Sequence, residues 1–520
     1  MQEALAAWRR ALGAEHVLVD RETLGAARTA TFATTQRVPA VLRPGNREEV
    51  RECLRIAHTL RVPVFPVSAG RNYGYGSRVP ARTGSVLLEL GRMNRVLEWD
   101  EALAYLTVEP GVTFAQAHAF LEEHGSGLQL ATIGGPPQAS LIGNALERGD
   151  GSGPHGDIFQ YVCDLEVVLP TGECLRTGPG RYPGAQASAV QRWGMGPGLD
   201  GLFSQSNLGV VTRMTFWLAP QAASARIFSA PLEDASRLPA VVERLRQLRL
   251  EGTLREAFSL WNDCKMLSVL GQYPWKEARG RTPLSQALRR RLRDEQGLGP
   301  WHLSFPLQAP SEEQVVAAQG RVEALLKEVV PSLACYREEE VEGDALRRVP
   351  SARNLRMMYW RKRSPPPADP DPDRDGCGFV WLSCAVPMTG AHVERALAIA
   401  EPLPSRFGFE PNLCLLGVSA RCAYLVVALV YDRQVEGEDE RALACYHALH
   451  EAMNAAGYYP SRLGIQAPLL SAAEDDSARV LGTLKAALDP HGILAPGRYL
   501  PAPSSRPRPT RRAGTRQSGK

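Results

Sequence analysis

The chain has 520 residues, 44% hydrophobic and 22% charged, too long for one compact core and ordinary for a soluble globular protein of two or three domains. Its formal net charge is +4, yet residues 501–520 hold Arg506, Arg508, Arg511, Arg512, Arg516 and Lys520 and no acid, so without those six the rest stands at −2. A near-neutral body offers no basic face to nucleic acid, and the Pro- and Arg-rich end reads as a disordered tail.

Met1 to Arg10 carries Glu3, Arg9 and Arg10 and lacks the apolar centre of a secretory signal. No apolar run reaches the length that spans a bilayer. The ten cysteines form no Cys-x-x-Cys pair, and Cys53, Cys163, Cys384 and Cys414 sit among apolar neighbours as buried thiols do. The expected location is the cytoplasm, with reduced thiols. No repeat of 20–50 residues is visible.

Val38–Leu42 reads as a short strand. Asn46 then offers an N-cap with Glu49 three residues on, and Val50, Leu54, Ala57 and Leu60 follow at helical spacing. Val62–Val67 resumes an extended run and delivers a loop, Ser68-Ala69-Gly70-Arg71-Asn72-Tyr73-Gly74-Tyr75-Gly76. Glycines at 70, 74 and 76 let such a loop turn its main-chain N–H groups toward an anion. Arg71 adds a positive charge. An ordinary surface turn is the competing reading of the loop alone.

Strands follow at Val86–Leu90 and Ala104–Val108. Thr113 and Gln116 form a capping box that opens a helix through Ala117, Phe120 and Leu121. From Ile133 to Gly156 the chain is dense in glycine and has no regular period, which inside a compact domain marks a functional segment. Val162–Leu169 and Val210–Leu218 are strand-like. From Ala219 to about Gly457 amphipathic helices alternate with strands, the strongest at Phe379–Val386 and Tyr424–Val430, with an Arg- and Leu-rich helix at Leu284–Leu292. Pro365–Asp375 reads as a surface excursion. A helix near Leu481–Leu488 leads to Asp489-Pro490-His491-Gly492-Ile493-Leu494-Ala495-Pro496-Gly497-Arg498, where the glycine–proline style returns. The pattern suggests a domain interrupted by an inserted one. No metal-ligand spacing stands out; His447 and His450, three apart on a helix-like stretch, read as surface residues.

Several motifs occur in consistent order: Gly70-Arg71-Asn72-x-Gly74-Tyr75-Gly76, Leu90-Gly91-x-Met93-Asn94-Arg95, Glu109-Pro110-Gly111-Val112-Thr113, and Gly143-Asn144-Ala145-Leu146-Glu147-Arg148-Gly149. Glu166–Leu169, Arg176-Thr177-Gly178, Gly196-Pro197-x-x-Asp200-Gly201-Leu202-Phe203-x-Gln205-Ser206-Asn207-x-Gly209 and the Asp489–Gly497 segment complete them. This ensemble resembles the vanillyl-alcohol oxidase and p-cresol methylhydroxylase family of flavoproteins, densely over residues 35–218 and more thinly over 355–500. The resemblance implies an α+β chain with the two-domain FAD-binding fold of the p-cresol methylhydroxylase type. Residues 1–220 and 458–500 would form the FAD-binding domain, 221–457 an inserted α+β cap that forms most of the substrate pocket, and 501–520 the tail.

It also implies a cofactor, FAD, with Ser68, Ala69, Gly70, Arg71, Asn72 and Tyr73 around the diphosphate. Pro66, Glu109, Pro110, Gly111, Ser140, Gly143, Asn144, Ser206, Asn207, Gly209 and Val210 would line the rest of its tunnel. Arg462 matches an arginine that stabilises the reduced ring and, with two tyrosines, holds a substrate phenolate. Tyr75 matches one of those tyrosines. The other falls at Ser461, and Tyr459 can substitute. Further departures follow. The family's aspartate near flavin N5 falls at Gly135-Pro136, its flavin-linking histidine at Phe379, and its cap-strand histidine at Tyr424. The FAD is therefore expected not to be linked through that histidine. Ser152 and His155 replace aromatic residues and Asp150 is an added acid, so Asp150, Glu147 and His155 are the candidate bases.

These features imply hydride removal from a benzylic or allylic carbon of a para-alkylphenol, an aromatic alcohol or a biosynthetic intermediate, with hydroxylation or oxidative ring closure as outcomes. The alternative is a catalytically degenerate flavin-fold protein kept for binding or assembly. The expected partners are a small-molecule substrate and, as electron acceptor, oxygen or a separate electron-transfer protein; a homodimer is left open, and neither nucleic acid nor a membrane is expected.

Overall fold

The computed structural model describes residues 1–341, 349–468 and 475–500; the expected tail lies outside them. Asn46 caps the helix Arg47–Leu60 as its spacing predicts, its side chain accepting from the Glu49 N–H while the Glu49 carboxylate accepts from the Gly45 N–H at 2.7 Å. Val50, Leu54 and Ala57 of that helix are buried with Trp8 against a four-stranded sheet. Its strand order is Val17–Leu18, Val41–Leu42, Val86–Glu89, Val64–Val67, the last two junctions parallel. The strand expected over 38–42 is shorter, since only Val41 and Leu42 pair. Val64–Val67 lies at the end of this order, where a proline at position 66 costs no central ladder bond.

A second, antiparallel sheet orders Val96–Asp100, Tyr105–Val108, Val210–Trp217, Val162–Val168 and Cys174–Arg176. The helix Phe114–Glu123, with both bonds of the Thr113–Gln116 capping box in place, and the short helix Leu141–Leu146 share its core.

The third sheet has seven strands, all antiparallel: Ala334–Arg337, Ser224–Leu232, Trp301–Ala309, Phe258–Asn262, Asn412–Gly417, Cys422–Asp432 and Cys377–Pro387. Side chains alternate between its faces. Val380, Leu382, Cys384 and Val386 turn into a core shared with the helices Leu238–Leu250, Glu312–Leu326, Gly390–Ala400 and Glu438–Ala455. Phe379, Trp381 and Ser383 therefore stand on the opposite face, beside their register partners Val430, Ala428 and Val426.

After this sheet the chain returns to the first one. The Val64 N–H donates to the Ile493 carbonyl at 2.9 Å and the Ala495 N–H to the Val64 carbonyl at 2.7 Å. A fully buried ion pair fixes the return. Lys485 Nζ donates to Asp489 at 2.7 Å, to the Asn207 carbonyl at 2.6 Å and to the Leu494 carbonyl at 3.1 Å, and Asp489 accepts from the N–H groups of Ile493 and Leu494. The reading of Pro365–Asp375 as a surface excursion holds for 365–370, which is mostly exposed, and is corrected for 371–375. Asp371 pairs with Arg71 at 2.5 Å, Asp373 accepts from Ser77 at 2.8 Å and Asp375 from Tyr359 at 2.6 Å, so this loop clamps the glycine loop. All ten cysteines are free thiols, and Cys53, Cys163, Cys384 and Cys414 are buried as expected. Among the described residues no helix is long and apolar enough to cross a membrane.

Asp489→Asn leaves the Lys485 ammonium buried without its counter-charge. The expected loss is about 3–5 kcal/mol, measured by urea unfolding; unchanged stability would show that the pair does not fasten the return segment.

Candidate active site

The loop that leaves Val64–Val67 has one feature that a plain turn lacks. Among the described residues, none of the main-chain N–H groups of Ser68, Ala69, Gly70, Arg71, Asn72 and Tyr73 donates to a protein acceptor. The next ones do: Gly74 to Thr31 Oγ1 at 3.0 Å, and Tyr75 and Ser77 to the Asn72 carbonyl at 3.1 and 3.0 Å. Five of these residues are half-buried and Tyr73 is buried, and N–H groups so shielded are ordinarily paired, so a run of six points to an acceptor that is not protein. Gly70, at φ +68°, supplies the left-handed turn.

This loop borders an open channel with a cavity volume of about 200 Å³. Pro66, Ser68, Ala69, Gly70, Arg71, Asn72, Tyr75, Ser140, Gly143, Asn144, Ser206, Gly209, Val210 and Arg462 line it. Of the other residues expected at the tunnel, Glu109 is bound to Arg95 at 2.8 Å, the Pro110 carbonyl accepts from Ser140 Oγ, and Gly111 packs on the Gly91 and Met93 carbonyls. Asn207 is spent on the Ala495 and Leu500 carbonyls, and the buried Tyr73 hydroxyl meets the Arg71 guanidinium at 2.9 Å. These five support the channel from outside its lining. A long channel with unpaired amides at one wall, and with small residues at 143 and 209, fits a dinucleotide cofactor.

The second and third glycines of the loop have another reason. A Cβ on Gly74 would lie 2.3 Å from Trp381 Cδ1, and one on Gly76 would lie 2.5 Å from Ile465. They admit the seven-stranded sheet and the return segment. Thr31 fastens the same place, donating to the Phe379 carbonyl at 2.8 Å while its own carbonyl accepts from the Phe379 N–H at 2.7 Å. Phe379, at the place of the family's linking histidine, is fully buried with its ring edge-on to Trp381. The Arg71 charge, at the channel's edge, is paired with Asp371. Beside it, burial raises the Asp373 carboxyl to about 7.

At the other end stand Arg462, Tyr75, Glu147 and Asp150. The Arg462 guanidinium lies 4.5 Å from the Tyr75 ring centroid, donates to Asn72 Oδ1 at 2.5 Å, and its Nε is 3.5 Å from Glu147. Glu147 also takes Arg498 at 2.7 Å and the Tyr499 hydroxyl at 2.5 Å. Burial pushes its carboxyl up, but Arg498, Arg462 and Tyr499 outweigh that and hold it below the ordinary range. Glu147 is therefore a fixed counter-ion rather than a base, and its partner is not the adjacent Arg148, which donates to Ser204. Asp150 differs. Burial raises its carboxyl, and it lies within charge range of Arg462, Tyr75, Tyr424 and Cys414. Burial also raises the Tyr75 phenol to about 12, against the pull of Arg462.

His155 does not join this group. Its ring stacks on Tyr161 at 3.7 Å, Nδ1 meets the Trp217 carbonyl at 3.1 Å, and burial lowers its pKa. Tyr459 is 54% exposed and is not part of the channel lining. Ser461 Oγ bonds to Ser383, closing the second tyrosine's place with a small polar contact. His447 is exposed as expected, whereas His450 is buried beside Tyr446. Among the described residues no group of three or more His, Cys, Asp or Glu side chains is placed to hold a metal. Sequence reasoning missed Trp381, Lys265 and the role of Arg498. Only the last had a signal, as the final residue of the Asp489–Arg498 motif.

If the main-chain amides grip the diphosphate and Arg71 serves Asp371, then Arg71→Met weakens FAD binding by less than about tenfold, or 1.4 kcal/mol. Titration of the apoprotein with FAD checks this; a loss of several hundredfold would assign the grip to the guanidinium.

A family model described as an FAD binding domain matches residues 38–178. The chain is 47% identical to 1'-carboxy-chondrochloren decarboxylase of Chondromyces crocatus, over 96% of this chain and 97% of that one. It is 28% identical to the 4-cresol dehydrogenase [hydroxylating] flavoprotein subunit of Pseudomonas putida, over 95% of each. A crystal structure of p-cresol methylhydroxylase with substrate bound superposes with a TM-score of 0.88 at 26% identity, covering 96% of this chain and 97% of that one. Full-length matches of this kind, on a channel with unpaired amides at one wall, decide the cofactor as FAD and the fold as that of p-cresol methylhydroxylase. The chain belongs to the vanillyl-alcohol oxidase and p-cresol methylhydroxylase family of FAD-linked oxidoreductases and is a flavin-dependent enzyme.

Proposed function

We propose that this enzyme oxidises a carboxyl-bearing para-alkylphenol at its benzylic carbon and that the carboxyl group is then lost as CO2. The observation that carries the reading is the juxtaposition of Arg462, Tyr75 and Asp150 beside the FAD channel. Bound FAD supplies the acceptor for a hydride. Arg462 and Tyr75 receive the phenol oxygen, the guanidinium stabilising negative charge on it. Asp150 is the acid–base group within reach, and burial raises its pKa above that of an exposed aspartate, which makes its carboxylate the better proton acceptor.

The steps balance as follows. The phenol proton leaves, the benzylic carbon gives up a hydride, which carries both electrons, and a quinone methide remains. With a carboxylate on the next carbon, the C–CO2 bond breaks. Its electron pair forms a carbon–carbon double bond and restores the phenolate. Water would instead give hydroxylation, the outcome named for the Pseudomonas putida relative, and the Chondromyces crocatus relative is named for decarboxylation. The higher identity to the latter favours CO2 loss. Oxygen or a separate electron-transfer protein then removes the two electrons.

Anaerobic mixing of the holoenzyme with 3-(4-hydroxyphenyl)propionate tests the reading. Flavin absorbance is expected to bleach with one CO2 and one 4-vinylphenol per flavin reduced. Bleaching with water addition and no CO2 would reject decarboxylation, and no bleaching with any carboxylated or plain alkylphenol would reject benzylic oxidation. The rate of bleaching is expected to rise with pH through the pKa of Asp150, which lies above the usual aspartate value, because the acid form cannot accept a proton. In Asp150→Asn that acid limb disappears from the profile and the rate falls about 10²–10⁴-fold; a retained acid limb assigns it to another group.

A further inference from the structure

Among the described residues, six lysines and arginines are buried: Arg226, Lys265, Arg361, Lys362, Lys485 and Arg498. Five touch a carboxylate, respectively Glu312, Glu410, Asp432, Asp489 and Glu147 for all but Lys265. Lys265 is 5% exposed, and among the described residues no oxygen accepts from its Nζ. The ammonium meets only the Met357 thioether, at 2.7 Å, and the faces of Trp381 and Trp261, with centroids at 4.9 and 5.3 Å. A thioether is a weak acceptor, and ring faces replace only part of the lost hydration. A buried charge without a counter-ion is costly to keep unless something pairs with it.

The position of Lys265 says what that is. It stands in the helix Asp263–Leu270, directly after the strand Phe258–Asn262. Trp261 is the register partner of Cys414, and Cys414 lies within charge range of both Lys265 and Asp150. Trp381 is the shared wall: one side receives the ammonium, and its Cδ1 edge presses on Gly74, next to Tyr75. The ammonium thus lies on the site-facing side of the seven-stranded sheet, across Trp381 from the loop that carries Tyr75.

We propose that Lys265 is the anchor for the substrate's carboxylate and the residue that makes this site select carboxylated phenols. This rests on the oxidation reading above, with the phenol oxygen at Arg462 and Tyr75. Burial lowers the Lys265 pKa to about 8, which an incoming carboxylate would reverse. Lys265 is a positioning residue: it holds the acid and takes no part in moving the hydride.

The test uses the FAD-loaded enzyme and a matched pair of ligands, 3-(4-hydroxyphenyl)propionate and 4-propylphenol. Affinities come from calorimetry and from the concentration dependence of anaerobic flavin bleaching. Wild type is expected to bind the acid more tightly than the alkylphenol. Lys265→Met, with FAD content and melting temperature as checks on folding, is expected to lose about 30-fold or more in affinity for the acid while 4-propylphenol binds and bleaches as in wild type. A preference that survives in Lys265→Met, or is absent from wild type, overturns the proposal. The wild-type comparison needs no variant and so stands if Lys265→Met fails to fold. If the acid preference behaves as expected while neither phenol bleaches the flavin, the anchor stands and the oxidation reading fails.

Discussion

Six consecutive main-chain N–H groups, Ser68 to Tyr73, that find no protein acceptor among the described residues are the constraint around which the molecule is arranged. Leaving them unpaired in a partly buried loop is unfavourable, and the fold spends much of its architecture on holding them so. The strand Val64–Val67 aims the loop, and the return segment grips that strand through Ile493 and Ala495. The Lys485–Asp489 pair fixes the return segment. Asp371 and Asp373 draw the side chains of Arg71 and Ser77 aside, which leaves the backbone as the anion-facing surface.

The seven-stranded sheet completes the site through its alternation. One face is closed by helices, and the other carries aromatic and polar residues toward the glycine loop. Gly74 lets Trp381 reach that loop, so the sheet and the glycine loop meet at Trp381. The charges along this face are unlike one another. Glu147 is saturated by Arg498, Arg462 and Tyr499, while among the described residues Asp150 is buried without an ion pair and Lys265 is buried without an acid beside it.

Much of this was legible in the sequence where the physics is local. The N-caps at Asn46 and Thr113 depend on neighbours a few residues away and form as read, and the Asp489 carboxylate is likewise met by N–H groups close by in the chain. What escaped reading depends on pairs far apart in the chain. Glu147 and Arg498 are separated by 351 residues, and Arg71 and Asp371 by 300, so no spacing rule connects them. The surface reading held for 365–370, which is mostly exposed, but failed for 371–375 for that reason: a Pro- and Asp-rich loop resembles an exposed one until its basic partner is in place. His155 and Tyr459 were drawn in by nearness in sequence, but the ring of one stacks inward on Tyr161 and the other is mostly exposed. Lys265 carried no signal, because a lysine early in an amphipathic helix is ordinarily exposed.

The most direct measurement is a crystal structure of the purified yellow protein. The account predicts a diphosphate within hydrogen-bond distance of the N–H groups between Ser68 and Tyr73, with the flavin ring running toward Arg462 and Tyr75. A diphosphate held elsewhere, with those amides turned to protein acceptors, would contradict it.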